Sequence, residues 1–412
     1  MRIYLIISLL IITSNSLFAQ WECRSKMGAS LKPIGESNLM WAGELVGSTG
    51  YLSNSTISNT MGFLGLDYTG GNSTLYFEGG FKYWNQYDFD TNFEFDNFRW
   101  GLRELFYSYR CDYGKLTVGL QSSKLGDQYL LNERILGLSY QRNSDNWKIN
   151  ITAGSVSDDF SRNGTFCSTC YLYDIIPGRS INNIGSGIGE TNMLGFTLGF
   201  NPGKKSSQSP NDEFGSMDEF ETPSLISVDE VGLAIYSEFG SEVNTSFFTS
   251  GLYANIKLPG EINFKPEVLF QSAEGNNGLI SVLTLDKNLL WNNGHKTSLM
   301  ASHYGFTEID DEAIVLNRFS NILAGEVLRL DATEMPLFLL SAKHTIPKIK
   351  THFKCQYAFS NPTTSMQEFD IQAGKTFFKR LQANAIFGYV KSDLIPVDDS
   401  ALLGRLELRL NF

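Results

Sequence analysis

The sequence predicts an all-β fold, a transmembrane antiparallel β-barrel of about 18 strands, with bounds of roughly 16 to 20. Three observations predict it. Segments of alternating apolar and polar residues recur along the chain, no segment is long and apolar enough to cross a bilayer as a helix, and the chain ends on an aromatic residue, Phe412, inside an alternating segment.

The alternation is clearest at that end. Leu402, Gly404, Leu406, Leu408, Leu410 and Phe412 share one face, and Arg405, Glu407, Arg409 and Asn411 share the other, because successive side chains of a strand point to opposite faces. A half-buried strand of a soluble sandwich would look the same, so repetition decides. Leu75, Phe77, Phe81 and Tyr83 alternate with Tyr76, Glu78 and Lys82. Leu116, Val118 and Leu120 alternate with Lys115, Thr117 and Gln121. Trp147, Ile149, Ile151 and Ala153 alternate with Lys148, Asn150 and Thr152. Ile262, Phe264, Val268 and Phe270 alternate with Asn263, Lys265, Glu267 and Gln271. A soluble protein would need helical or fully buried segments to cover so many half-apolar strands. A membrane barrel needs only this repeat, apolar outward and polar inward, with every backbone group paired around a closed sheet.

The first residues read as a secretory leader spanning 1–19. Arg2 supplies the positive charge, Ile3 to Ile12 the apolar run, and Ala19 the small residue before cleavage at Gln20. That run is about ten residues, half of the roughly 20 a spanning helix needs, so it is an address and not an anchor. Cys23 lies too far from the cleavage point to carry a lipid. Residues 20–412 then form a single barrel domain in the outer membrane. The formal charge of −11 becomes −12 when Arg2 leaves with the leader, which argues against a nucleic-acid partner. Cysteines at 23, 111, 167, 170 and 355 have no regular spacing and build no disulfide framework. No cofactor and no metal site are expected.

Aromatic residues cluster near strand ends, as at Tyr83–Trp84, Phe98–Trp100, Tyr107–Tyr109 and Phe387–Tyr389, where interfacial girdles belong. Tight turns at Gly70-Gly71-Asn72, Asp112-Tyr113-Gly114 and Pro259-Gly260 contrast with long polar stretches near 157–190 and 203–224. About nineteen segments read as strands, one too many for an even-numbered barrel. Counting from the N-terminus places 157–190 outside the cell. Counting back from Phe412 places 203–224 there, so the two counts differ by one strand.

Within the chain, Arg103-Glu104 leads to Tyr107 and Tyr109. Leu116-Thr117-Val118-Gly119-Leu120-Gln121 follows, then Gly126-Asp127, Leu130-Leu131-Asn132 and Arg134. This stretch, Arg103 to Val156, resembles the alginate-export family of outer-membrane porins, and the closing hairpins at Glu368-Phe369-Asp370 and Phe387-Gly388-Tyr389 resemble the same family. Leu120 stands where that family tends to carry an arginine. The resemblance implies an 18-stranded barrel conducting a polar solute past charged side chains on its inner wall. It does not imply alginate.

Arg99, Arg103, Glu104, Gln121, Asp127 and Arg134 are the candidate lining of the solute path. Arg99 and Arg103 share a face opposite Trp100 and Leu102, and Gln121 lies opposite Leu120. Glu104 has the wrong parity unless a β-bulge near Arg103 changes the register. Arg134 shares the parity of Leu136 and Leu138, which puts it at the rim. These charges either set selectivity or form salt-bridge ladders that stiffen the wall. Arg405, Glu407 and Arg409, alternating in sign, fit the ladder. In 86–97, Asp88, Asp90, Glu94 and Asp96 mix with Tyr87, Phe89, Phe93 and Phe95, which suits a solvated hairpin tip, a divalent ion or a sugar. The acidic run 212–221 reads as mobile loop. Cys167 and Cys170, with no helical pattern after them, suit a loop disulfide better than a redox pair. Cys355 shares the apolar face of Phe353 and Tyr357.

Four histidines remain, at 295, 303, 344 and 352. His295 and His303 are too far apart along one strand to serve a single site, while His344 and His352 flank the Pro347 turn and could meet across a hairpin. No nucleophile accompanies them, so no enzyme is expected. The functional expectation is passive passage of a small polar solute, an oligosaccharide or an anion. A plugged barrel that binds a partner complex through its loops is the alternative, and an outer-membrane hydrolase the third. Membrane lipid surrounds the barrel, and Phe412 resembles the terminal signal read by the barrel-assembly machinery.

Overall fold

The computed structural model describes residues 32–33, 38–52, 55–89, 93–125, 131–144, 146–157, 192–202, 226–239, 247–273, 276–308, 322–323, 329–330, 336–360, 366–378, 380–392 and 400–412. Eighteen long strands follow one another: β1 (Leu39–Leu52), β2 (Ser55–Gly70), β3 (Ser73–Asp88), β4 (Phe93–Cys111), β5 (Gly114–Leu125) and β6 (Leu131–Asn143). They continue with β7 (Trp147–Ser157), β8 (Asn192–Phe200), β9 (Ser227–Phe239), β10 (Phe247–Leu258), β11 (Ile262–Ala273) and β12 (Asn276–Leu290). The last six are β13 (Lys296–Glu308), β14 (Leu337–Ile346), β15 (Thr351–Ser360), β16 (Met366–Phe377), β17 (Leu381–Ser392) and β18 (Ser400–Asn411). Each pairs antiparallel with the next. A two-residue strand, Lys32–Pro33, pairs with β1 alone, and the hairpin Ile322–Leu323 with Arg329–Leu330 stands apart from the sheet.

The sheet closes where β18 meets β1, in register from Glu44–Asn411 to Leu52–Leu403. Gly43 and Phe412 exchange two backbone hydrogen bonds of 2.8 and 2.9 Å at the end of this seam. The Phe412 ring lies over Gly43, where any Cβ would overlap it, and sits 6.1 Å from the Trp41 ring. Closure at this seam leaves neither terminal strand with a free edge, the condition for strands in hydrocarbon.

Parity assigns the faces as expected. On β18, Leu406 and Leu408 are 62% and 55% exposed, while Arg405 and Glu407 are 6% and 5% exposed. The wall is therefore apolar outside, and its polar face turns inward. Aromatic pairs mark the rims, with Trp147 on Phe200 near one end and Phe338 stacked on Phe359 near the other.

Both ends of the closed sheet lie on one side, together with the tight turns 71–72, 112–113, 259–261, 291–295, 347–350 and 378–380. We call this the turn end. β7 runs away from it and β8 returns to it, so the connection across 158–191 begins and finishes at the opposite, loop end. The connection from β8 to β9 begins and finishes at the turn end. The first long connection thus lies at the end opposite the two ends of the sheet, where the count from the N-terminus also puts it. The count from Phe412, which put 203–224 outside, is corrected, because only eighteen strands enter the wall. The leader at 1–19, both long connections and the acidic run 212–221 lie outside the described residues.

Candidate functional site

The inner wall carries the polar chemistry, and one hairpin narrows the space it encloses. β4 pairs with β3 up to Asp88–Phe93, but its register jumps between Glu78–Glu104 and Gly79–Leu102, leaving Arg103 as the extra residue. This is the bulge that the parity of Glu104 demands. It turns Glu104 to the face of Glu78, which is buried and accepts a 2.5 Å hydrogen bond from Tyr76 Oη. Below the bulge the Tyr76 and Phe106 rings lie 5.2 Å apart.

At the same level β5 leaves β4. The last pair between them is Leu105–Leu120, whereas β5 stays with β6 as far as Leu125–Leu131. Gly119, at φ +124, supplies the bend, a conformation that L side chains rarely adopt. The β5–β6 tip then leans into the lumen. Leu125, buried there, occupies the place a Cβ on Gly195 of β8 would take, three strands away. Leu125 and Ile135 join one buried apolar cluster with Met193, Tyr236, Leu269 and Ile280 of the opposing inner wall.

Polar groups tie the base of this tip. Ser122 Oγ donates a short hydrogen bond to Glu104 Oε1. Gln121, also buried, donates through Nε2 to the Thr117 and Gly137 carbonyls at 3.3 and 3.4 Å and accepts from Ser139 Oγ at 2.7 Å. Glu104 thus meets Ser122, the chain neighbour of Gln121. Arg99 stands in register with Lys82, and Arg134 with Ser122 and Ser157 on the parity of Leu136 and Leu138. The side chains of Arg99, Arg103 and Arg134 lie outside the described residues, as do Asp127, Cys167 and Cys170.

Around the rest of the lumen, cations and carboxylates that were not singled out face inward. Lys148 Nζ meets Glu230 Oε2 at 2.5 Å, and Tyr253 Oη donates to Glu230 Oε1 at 3.1 Å. Lys265 Nζ lies 2.7 Å from Asp286 Oδ2, whose other oxygen accepts from Asn263 Nδ2 at 2.7 Å. Arg405, Glu407 and Arg409 form the expected ladder, and it crosses the seam: Arg409 Nε lies 3.4 Å from Glu44 Oε1 and its Nη2 3.5 Å from Glu407 Oε1. Lys343 and Lys354 are direct cross-strand partners on the inner face, beside His352. Their signal was present in the sequence, since each alternates with outward apolar residues such as Phe353 and Cys355.

The expected approach of His344 to His352 does not occur. His344 shares the outward parity of Phe338 and Leu340, and His352 the inward parity of Gln356 and Ala358. His344 instead meets His295 of the preceding hairpin, Nε2 to Nδ1 at 3.2 Å. Cys355 is exposed beside Phe353, as its parity required.

No family model and no curated protein matches this sequence. Solved structures do. OccK7 (OpdD) of Pseudomonas aeruginosa superposes with a TM-score of 0.56 at 10% identity, over 92% of this chain and 99% of that one. OccD1 (OprD), in a doubly substituted form, gives 0.55 at 9% identity over 95% and 99%. OccAB4 of Acinetobacter baumannii gives 0.54 at 11% identity over 94% and 100%. At this identity the likeness speaks for the fold, and the fold is the closed 18-stranded antiparallel barrel of outer-membrane porins.

Proposed function

We propose that the protein is an outer-membrane channel through which a small polar solute diffuses passively. The observation that carries this reading is the lumen: a closed wall with charged side chains facing inward, narrowed at one level by the β5–β6 tip. Selectivity in such a pore comes from side chains at the narrowest level, so Glu104, Gln121 and Ser122 are assigned to the solute path. Arg99, Arg103, Asp127 and Arg134, from the same stretch of sequence, are assigned with them. Lys343 and Lys354 add a positive sector lower in the lumen, which favours an anionic solute or a saccharide carrying acid groups.

The resemblance of Arg103 to Val156 to the alginate-export family, and the structural likeness to Occ proteins, both support such a channel. The alginate-like identity is the finer proposal, with no particular polymer implied. We assign no enzymatic activity: the hydroxyl that the described geometry brings to a histidine, Thr297 Oγ1 at His344 Nδ1, lies on the outer wall and away from the lumen. The turn end faces the periplasm, and Phe412 at the seam is the element offered to the assembly machinery.

Swelling of liposomes loaded with impermeant polymer tests the reading. The folded protein should admit small sugars and sugar acids, and liposomes that fail to swell in either would refute it. The buried cluster joining the β5–β6 tip to the opposing wall favours one second reading, a barrel plugged at that level. A plugged barrel predicts no swelling until the tip is released.

A further inference from the structure

The outer wall at the turn end carries polar groups that the channel does not use. Trp291 Nε1 donates to Thr297 Oγ1 at 2.8 Å, and Thr297 Oγ1 lies 2.9 Å from His344 Nδ1. His344 Nε2 in turn lies 3.2 Å from His295 Nδ1. An indole N–H can only donate. With Thr297 as donor to His344 Nδ1, His344 donates from Nε2 to His295 Nδ1, and the Nε2–H of His295 remains to donate. Among the described residues, no acceptor lies within hydrogen-bond distance of that N–H.

Directly above this row, on the same face, lies an apolar groove of about 450 Å³. Small residues make it: Ala301, Ala342 and Cys355 sit between Leu285, Leu299 and Leu340. The registers Thr297–His344 and Leu299–Ala342 place the groove one two-residue step, about 7 Å, from the histidines. Lys287 also lines it, and its Nζ reaches the turn-end rim, 3.7 Å from where a Cβ on Gly260 would be. Such a side chain keeps its stem against apolar surface and its ammonium in the headgroup layer. The three turns framing the patch, 259–261, 291–295 and 347–350, contain Lys348 and Lys350 and one carboxylate, Glu261.

We propose that this patch binds one anionic phospholipid of the periplasmic leaflet, an acyl chain in the groove and the phosphate at His295, which His344 holds in place, with Lys287 and Lys348 supplying the charge preference. The proposal rests on the membrane reading above but not on conduction, since all of these groups lie outside the lumen or at its rim. An apolar slot ending in donors and cations matches a lipid in both chemistry and order. Indole at the same level is the usual interfacial anchor.

Native mass spectrometry of the full-length protein in non-ionic detergent, with phosphatidylglycerol and phosphatidylethanolamine of equal chain length, tests it. One phosphatidylglycerol should be retained over phosphatidylethanolamine by about fivefold, the ratio expected from one lysine near an anionic phosphate. Ala342→Leu, which fills the groove, should remove the adduct. Lys287→Gln and His295→Gln should bring retention down to the phosphatidylethanolamine level. Heat-modifiable gel mobility reports folding. If Ala342→Leu does not fold, Cys355→Leu fills the same groove, and the half-buried His295→Gln tests the phosphate end independently. Equal retention of the two lipids by the native protein, or an adduct unchanged in these variants, would overturn the proposal. So would a dimer mass that Ala342→Leu abolishes, which would make the groove a contact between two copies. Absence of conductance from the folded native protein would instead count against the channel reading and leave the lipid site untouched.

Discussion

Single residues show how strictly two-fold parity sorts this chain. Leu406 projects into the apolar band while its neighbours Arg405 and Glu407 are buried in the lumen. Leu406→Arg should therefore destabilise the barrel by about 2–4 kcal/mol, the cost of a cation near the bilayer midplane, measured by denaturant unfolding from vesicles. Gly43 makes a different demand. Its missing side chain is the seat of the Phe412 ring at the seam. Gly43→Leu should displace the ring and cost about 1–3 kcal/mol, typical of overpacking, with slower appearance of the heat-modifiable folded band. The inner ion pairs contribute rigidity more than net stability, because each partner gives up hydration to enter the wall.

Elements show which parts of the structure were legible in the sequence. The faces of β11 and β18 follow from alternation alone. The bulge at Arg103 was also legible, since Glu104 had no other way onto the face of Glu78. What the sequence hid are contacts between elements that are not neighbours in the chain. Nothing local to Leu125 reports that it packs on Gly195, and nothing local to His344 reports that it pairs with His295 and not with His352. The placement of 203–224 failed for a related reason: alternating segments that do not join the wall cannot be told from strands that do, and one miscount inverts every later connection. The inward-leaning β5–β6 tip is the element with the most consequence for function. Leu125→Ala should remove its anchor, weaken the tip by about 2–5 kcal/mol, as for other buried leucines, and raise conductance in planar-bilayer recordings. An unchanged conductance would mean that the tip does not limit the path.

At the scale of the whole molecule, closure and an inward polar face together define the protein. The closed ladder satisfies the backbone, the outer face satisfies the bilayer, and the lumen is left to the charged groups. Acidic residues dominate the sectors at β1–β4, where Glu44, Asp67, Glu78 and Glu104 face inward. β14–β15 present Lys343 and Lys354. A solute crossing this lumen meets charges of both signs. Replacing Lys343 and Lys354 by glutamine should shift the reversal potential in a salt gradient toward cation preference, and no shift would remove that sector from the solute path. The central claim is that the lumen is an open path for polar solutes. Single-channel recording of the folded native protein in a planar bilayer tests it most directly: discrete, stepwise conductance is the predicted result, and a membrane that stays silent after verified insertion would contradict the account.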